Sequence, residues 1–414
     1  MALDRLGSNA IADLSISAAD IAAGTITTAQ IADGAVTLPK TSGVGGRKNI
    51  IINGDMKVDQ HNKVVTAGDG TAINGQYVAD RFSMIFQDGS GPARLNTSNA
   101  TITDHPLGFA NAAKVVVQTA DDGSDTTNVY AAITYRGNEL MDTEHLMYGT
   151  ATAKPVALSF WVKSGVTGTY IAQIRGLTSG TDRSKYHATY TVDTADTWEK
   201  KTISVPAPGA SIVFNNTIKE FDILWHLHST SDRIDTTVNQ WFTDTTNVQN
   251  VRCGTGQVSF ISTLNAEFYL TGVQLEVGTA ASDFEHLHYT EQLRNCQRYF
   301  ISTNPNALRD AATNQSCYVM GAGYNSKARF NHSFAPMRTM PAGTVVDAAG
   351  NGDVRIYNSS SGSAYSGSWT FENTLVMASY YTSNLSSVNG KGLMAQMGDE
   401  HDNFSLYLEL DAEL

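Results

Sequence analysis

The chain has 414 residues and a formal net charge of −12, and 16% of its residues are charged, against a usual fraction of about 25%. This length predicts about three structural units. The acidic balance, with no basic patch to offset it, argues against a nucleic-acid-binding protein. Cys253, Cys296 and Cys317 lack the spacing of a disulfide or metal framework.

The first forty residues carry an apolar residue at every fifth position, a period that fits neither a helix nor a flat strand. The positions are Leu6, Ile11, Ile16, Ile21, Ile26, Ile31 and Val36. Short repeats of this kind bury their apolar side only against neighbouring copies. We therefore predict that residues 1–43 form an attachment and trimerisation arm in which three chains intertwine. The alternative is an amphipathic, half-ordered arm.

A linker rich in Pro, Gly and Ser (residues 38–48) separates this arm from a long series of short apolar-alternating segments. The series begins with the run Ile50–Asn53, which predicts a buried strand, and it ends near residue 277. Many short strands with regular turn signals favour an antiparallel jelly-roll sandwich over residues 44–290. The composition fits strands joined by polar turns, because Thr, Ser, Asn and Gly fill the positions between the apolar residues.

The last strand of this series contains a break in its alternation. Phe268 and Leu270 are in one phase and Val273 and Leu275 are in the other. One extra residue beside a glycine is typical of a β-bulge, so we predict a bulge at Gly272.

A short helix follows this strand. Leu293, Cys296 and Phe300 recur at helical spacing behind Thr290, the predicted N-cap, and Glu291 is the predicted first-turn acid. Residues 291–414 then repeat the strand pattern on a smaller scale and predict a β-rich tip domain. Asn358–Trp369 is rich in Ser and Gly and predicts a long polar loop.

Several segments together resemble a known family. TGVQLEVGTAASDFEH followed by QLRNCQRYF resembles the closing segment of a β-sandwich found in tail-fibre proteins of tailed bacteriophages. GRKNIIINGDMKVDQ resembles the opening strand of that domain, and YVADRF resembles the segment that follows it in the family. LSFWVKS and TWEKKTISV resemble two of its interior strands. The matches span most of residues 44–300, with a weaker one in the final LYLELDAEL. The resemblance implies a structural and receptor-binding module, and it implies no catalytic residues.

The sequence contains no recognised catalytic motif such as GxSxG, HExxH or a P-loop. A glycosidase needs only two carboxylates, and the chain has many. The pair Asp193 and Asp196, and the group around Asp399, are better explained as solvated turns. We therefore expect a protein that is not an enzyme and has no cofactor.

Two His-x-His pairs, His226/His228 and His286/His288, are candidate metal ligands, because residues i and i+2 of a strand lie on the same face of the sheet. Some trimeric phage fibres hold iron through such pairs. No third ligand is suggested locally, so we expect hydrogen-bonded histidines and no metal. Asp121–Asp125 is likewise expected to be a polar turn rather than a calcium loop.

Glycan recognition requires aromatic faces for sugar C–H groups and polar groups for hydroxyls. The candidate ligand-binding residues are Tyr357, Tyr365 and Trp369 in the tip and Trp241 in an exposed loop. Trp161, Trp198 and Trp225 lie in strand-like patterns and are expected in the core.

These observations predict a homotrimeric virion tail-fibre protein. It would contact other virion proteins through its N-terminus and bind a host-surface glycan through its C-terminal tip. We expect neither nucleic-acid binding nor membrane insertion, because the chain has no 18-residue apolar run. It also lacks an N-terminal signal sequence, so assembly in the host cytoplasm is expected. The alternatives are a purely structural collar, head-fibre or connector protein and a polysaccharide hydrolase.

Overall fold

Two antiparallel sheets form a β-sandwich, which confirms the predicted all-β fold class. The computed structural model describes residues 48–302, apart from 69–71, 88–90, 105, 107, 136–142, 180–181, 211, 213–220 and 245–252, and the strands between residues 317 and 411. All of these residues belong to the unit Lys48–Leu414. The predicted arm at 1–43 lies outside the described residues. The boundary at residue 290 stays a prediction.

The first sheet has six strands. In spatial order they are β1 (Val65–Gly68), β4 (Arg94–Thr101), β5 (Asn111–Thr119), β15 (Glu267–Val277), β7 (Val156–Ser164) and β10 (Glu199–Val205).

The second sheet has seven strands. In spatial order they are β13 (Trp241–Asp244), β9 (Asp182–Val192), β8 (Gly168–Ser179), β11 (Phe221–Ser229), β6 (Tyr130–Tyr135), β3 (Phe82–Gln87) and β2 (Ile73–Ala79). Short 3₁₀ turns connect strands at Glu144–Leu146, Ser231–Arg233 and Phe260–Ser262.

The core lies between the two sheets and follows the alternation of each strand. Phe160 of β7 packs edge-on against Trp225 of β11, with ring centroids 5.8 Å apart, and both side chains are fully buried. Phe82 and Phe268 contribute further rings to the same cluster. Trp225 is therefore a core residue, as predicted.

Gly272 occupies the predicted bulge. The pairing of β15 with β7 shifts register between Thr271 and Gln274, and Gly272 has a φ of +60°. A Cβ at this position would lie 2.7 Å from Cζ of Phe109 and 3.0 Å from Cδ1 of Trp161. Both the backbone conformation and the space require glycine here.

The bulge is the docking point for residues 48–56, which form turns and not the predicted strand. Val273 donates a backbone hydrogen bond to the carbonyl of Gly54, and the Asn49 side-chain amide donates to the carbonyl of Val273. The Asn49 side-chain oxygen accepts from the amide of Leu275. These polar partners replace the ladder that the bulge interrupts, so a buried apolar run can remain a turn.

A helix, α1 (Tyr289–Gln297), follows the sandwich as predicted, but its N-cap differs from the prediction. His288, and not Thr290, caps it, because Nδ1 of His288 accepts a hydrogen bond from the Thr290 amide at 3.4 Å. The expected first-turn acid, Glu291, is present. Cys296 is buried on the side of the helix that packs against Ile52 and Val58.

A buried polar cluster joins the next strand, β16 (Phe300–Ser302), to the sandwich. Both carboxylate oxygens of Asp80 accept hydrogen bonds from Gln60, one from its backbone and one from its side chain. The Gln60 amide also donates to the carbonyl of Phe300 at 2.8 Å. The neighbouring Arg81 lies fully buried over the ring of Tyr299, 3.6 Å from its centroid.

The C-terminal strands form two further sheets. The smaller has the order β16, β25 (Leu406–Asp411), β19 (Ala342–Asp347). The larger has the order β21 (Ala364–Tyr365), β20 (Ile356–Asn358), β24 (Gly392–Met397), β17 (Cys317–Tyr324), β18 (Lys327–Ser333), β23 (Met377–Thr382), β22 (Trp369–Asn373). Strand β21 lies within the region Asn358–Trp369 that was predicted as one long polar loop, and β22 begins at the last residue of that region.

Candidate functional site

The outer face of the seven-stranded sheet is partly covered by the chain itself. Two short parallel strands, β12 (Ile234–Asp235) and β14 (Cys253–Gly254), lie over it, and β14 contacts β8, β9 and β11. Oδ2 of Asp235 forms an ion pair with Nζ of Lys185 at 3.5 Å, and the Lys185 side chain is only 1% exposed. The covered part of this face is therefore closed to a large ligand.

Polar side chains beneath β12 and β14 bond to one another. The Gln173 side chain contacts His187 at 2.6 Å and His226 at 3.3 Å. Complete burial, with the nearby cationic groups of His187, Arg175 and Lys185, lowers the pKa of His226 well below its ordinary value. His226 is therefore neutral at physiological pH.

The two His-x-His pairs make separate contacts. The pairing of β11 with β6 shifts register between His226 and His228, and Nδ1 of His228 contacts Ser259 at 2.8 Å. His286 packs against Phe109, whereas His288 caps α1. Within the described parts of the chain, no group of three or more His, Cys, Asp or Glu residues could hold a metal ion.

The outer face of the six-stranded sheet, in contrast, carries a row of alternating basic and aromatic side chains. Tyr269 on β15 pairs across the sheet with Lys114 on one side and Lys163 on the other. Lys163 Nζ lies 4.3 Å from the ring centroid of Tyr269 and 5.4 Å from that of Trp198. We call Lys114, Tyr269, Lys163 and Trp198 the basic–aromatic row. Trp161, two residues before Lys163 on β7, belongs to the same apolar cluster as Tyr269 and Trp198.

Two carboxylates neutralise the lysines of the row. Glu267 lies 2.6 Å from Nζ of Lys114 and accepts the Tyr269 hydroxyl at 2.5 Å. Asp104 lies 2.7 Å from Nζ of Lys163 and accepts the Trp198 indole N–H at 3.4 Å.

The pKa values of both carboxyl groups lie below their ordinary values. For Asp104 the main cause is the hydrogen bond from Lys163. Partial burial acts to raise the pKa of Glu267, but hydrogen bonds from Lys114 and Tyr269 outweigh it. The surface therefore presents ionised carboxylates, ammonium groups and aromatic faces side by side.

Trp161 and Trp198 correct the prediction that they lie in the core. Both are half-buried on the outer face of the six-stranded sheet, outside the cluster between the sheets. The signal was present in LSFWVKS, where Leu158, Phe160 and Val162 fill the core, so Trp161 and Lys163 must point the other way.

Trp241 lies in strand β13 and not in the exposed loop that the sequence predicted. Its indole N–H donates to the carbonyl of Pro206 at 2.7 Å, and its ring packs against Tyr148 and Tyr186. It is half-buried at the edge of the sandwich.

The other predicted ligand-binding residues lie in the larger C-terminal sheet. Tyr357 and Tyr365 are in the adjacent strands β20 and β21, whereas Trp369 begins β22 at the other edge of the sheet. Tyr365 and Trp369 are only four positions apart, so their Cα atoms are at most about 14 Å apart. Ligand binding by these residues stays a prediction.

Comparisons with known proteins give only distant likenesses. No protein-family model matches the chain, and no curated protein matches it. Similar solved structures include the enzymatically active domain of bacteriophage CBA120 tailspike protein 4, with 12% identity, a TM-score of 0.29, and 56% of this chain and 21% of that chain covered. Another is a family 11 carbohydrate-binding module of a Clostridium thermocellum cellulase, with 14% identity and a TM-score of 0.25. The match covers 55% of this chain and 98% of that chain.

A third is a putative sugar binding protein from Bacteroides thetaiotaomicron, with 12% identity, a TM-score of 0.29, and 56% of this chain and all of that chain covered. The chain thus spans about a fifth of the tailspike domain, since 21% of that domain is covered. Likenesses with TM-scores this low carry no argument about function, which must rest on the chain's own residues. In the part of the chain that the structure describes, no helix has the length and apolar character needed to cross a bilayer.

Proposed function

We propose that this chain is a non-enzymatic fibre protein of a tailed-phage virion that binds a cell-surface glycan. The resemblance of residues 44–300 to tail-fibre sandwiches supports the virion role. The observation that carries glycan binding is the basic–aromatic row, because half-buried Trp161 and Trp198 lie on the outer face of the six-stranded sheet and Trp198 bonds to the ionised Asp104.

The chemistry of this surface suits a sugar. Pyranose rings present C–H groups to aromatic faces and hydroxyls to carboxylates and amines. Tyr269 and the lysines are held in place by cross-strand pairing, so little conformational entropy is lost when a ligand binds. In a trimeric fibre, three weak sites would act together at high effective concentration.

We expect Trp198→Ala to weaken glycan binding by the purified protein about fivefold, since loss of one stacking aromatic costs about 1 kcal/mol. The loss should be greater for adsorption of virions, where the sites act together. The measurements are a glycan array with the purified protein and adsorption of mutant virions to host cells. Tyr289→Ala, which removes a 42% exposed aromatic side chain from α1, is the control and should leave both unchanged.

The same experiment compares the sandwich with the predicted tip. A Tyr365→Ala, Trp369→Ala double variant should assemble normally and adsorb poorly if the tip binds the receptor. Normal glycan binding and adsorption by both this variant and a Trp161→Ala, Trp198→Ala variant would overturn the proposed function and favour a structural virion component. Release of reducing ends from host polysaccharide would instead show a hydrolase.

The trimer is tested in the N-terminal arm. Ile21→Asp with Ile31→Asp should release the arm and give monomers, because each unpaired charge on a buried axis costs several kcal/mol. The control places the same two charges between the repeat positions, at Ala23 and Thr28. Light scattering of the full chain measures the mass, and a monomeric wild-type protein would contradict the proposed assembly.

A further inference from the structure

The two carboxylates of the basic–aromatic row are held differently. Glu267 is part of strand β15 and bonds to both Lys114 and Tyr269, so it is fixed by the sheet. Asp104 lies outside the strands, between β4 and β5, and its side chain is 58% exposed. Lys163, its partner, is only 13% exposed and stacks over Tyr269.

The donors around Asp104 form a receptor for a single carboxylate. Nζ of Lys163 binds Oδ2 at 2.7 Å, and Nε1 of Trp198 donates to Oδ1 at 3.4 Å. Each oxygen of the carboxylate therefore has its own donor, one of them charged. Such charge-assisted hydrogen bonds are stronger than neutral ones and favour an ionised acceptor.

We propose that this surface recognises the carboxylate of an acidic sugar and that Asp104 occupies the carboxylate position in the free protein. The inference rests on the proposed glycan binding and names the class of glycan, one containing hexuronate or nonulosonate residues. On binding, the ligand carboxylate replaces Asp104 on Lys163 and Trp198, and the sugar ring packs against the Trp198 and Trp161 side chains.

The exchange is energetically accessible. Ion pairs that involve an exposed side chain contribute little to stability, so displacement of Asp104 costs little. Lys163 remains in place when Asp104 leaves, because the rings of Tyr269 and Trp198 still hold its ammonium group. The overall charge of −12 opposes an acidic ligand only weakly at this point, because physiological salt screens charges beyond about 8 Å.

The competing possibility is a neutral glycan, for which Asp104 would itself accept sugar hydroxyls. The two possibilities predict opposite signs for one substitution. If Asp104 competes with the ligand, its removal strengthens binding. If Asp104 is part of the binding site, its removal weakens binding.

The test measures affinities of the full-length protein by calorimetry. The probes are oligosaccharides that contain hexuronate or nonulosonate residues, each paired with its carboxyl-reduced counterpart. Asp104→Ala should bind the acidic members three- to tenfold more tightly and the reduced members with unchanged affinity. Lys163→Met should lose at least tenfold in affinity for the acidic members. Thermal melting of each variant confirms folding.

Asp193→Ala is the matched control. Its side chain is 71% exposed and pairs with Lys201 on the same sheet, so it removes an equal charge without opening the receptor. An equal gain in the Asp193 variant would assign the effect to long-range charge and overturn the carboxylate exchange.

Weaker binding of reduced glycans by both Asp104→Ala and Trp198→Ala would also overturn the exchange, but it would leave glycan binding at this surface intact. Unchanged binding of every glycan by Trp198→Ala would overturn glycan binding at the row and, with it, the exchange.

Discussion

Gly272→Val should lower the melting temperature of the protein by roughly 4–20 °C. A valine at φ +60° costs about 1–2 kcal/mol in backbone strain. Its Cβ would lie 2.7 Å from the Phe109 ring, which is 3% exposed and packed against Phe284, so the ring cannot move aside without disturbing its neighbours. Overpacking of this kind adds about 1–3 kcal/mol. The two costs add to about 2–5 kcal/mol, which gives the stated shift for a domain of this size.

Gly123→Val separates the two causes. Gly123 also has a positive φ, +73°, but a Cβ there would have no neighbour within 4 Å. The control therefore carries backbone strain without crowding and should cost about 1–2 kcal/mol. Thermal melts followed by circular dichroism measure both variants. Equal shifts would contradict crowding at the bulge.

The bulge and most strands of the sandwich were predictable because each depends on the apolar alternation within one short segment of the sequence. The change of phase between Leu270 and Val273 shows in the alternation of one strand, and the structure places the register shift there. Strands such as β7 and β11 have apolar alternation strong enough to predict within a few residues. Strand β4, RLNTSNAT, gives a weaker signal, because Leu95 is its only large apolar residue.

The turn at residues 48–56 was predicted wrongly for a different reason. Its run of isoleucines has the burial of a strand, but Asn53 and Met56 have φ values of +61° and +56°. Its hydrogen bonds go to the bulge more than 200 positions later. An apolar run shows that a segment is buried and does not show which backbone partners it finds.

The basic–aromatic row could not be predicted from sequence, because it depends on the register of three strands. Lys114, Tyr269 and Lys163 come from β5, β15 and β7 and are distant in the chain. A shift of one residue in either pairing would move a lysine to the other face of the sheet. Alternation within β7 could have shown that Trp161 and Lys163 face outwards, but it could not show which residues they meet.

Asp80→Ala should destabilise the protein by about 3–5 kcal/mol. Asp80 is fully buried, and both of its oxygens accept hydrogen bonds from Gln60. Its removal leaves the Gln60 backbone amide and part of its side-chain amide without an acceptor in the interior, and it removes a negative charge beside the buried Arg81. The Gln60 side chain also holds the carbonyl of Phe300, so the loss should extend to the start of β16.

Urea unfolding measures the free energy, and hydrogen exchange locates the change. We expect faster exchange in β16 than in the centre of the sandwich, because Gln60 bonds to the carbonyl of Phe300 at the start of β16. Asp80→Asn should be milder, since it keeps an acceptor for the Gln60 backbone amide. Asp122→Ala, which removes an exposed carboxylate bonded to the amide and side chain of Ser124, should cost at most about 1 kcal/mol. If Asp80→Ala behaved like Asp122→Ala, the bonds between Asp80 and Gln60 would not be what holds β16 to the sandwich.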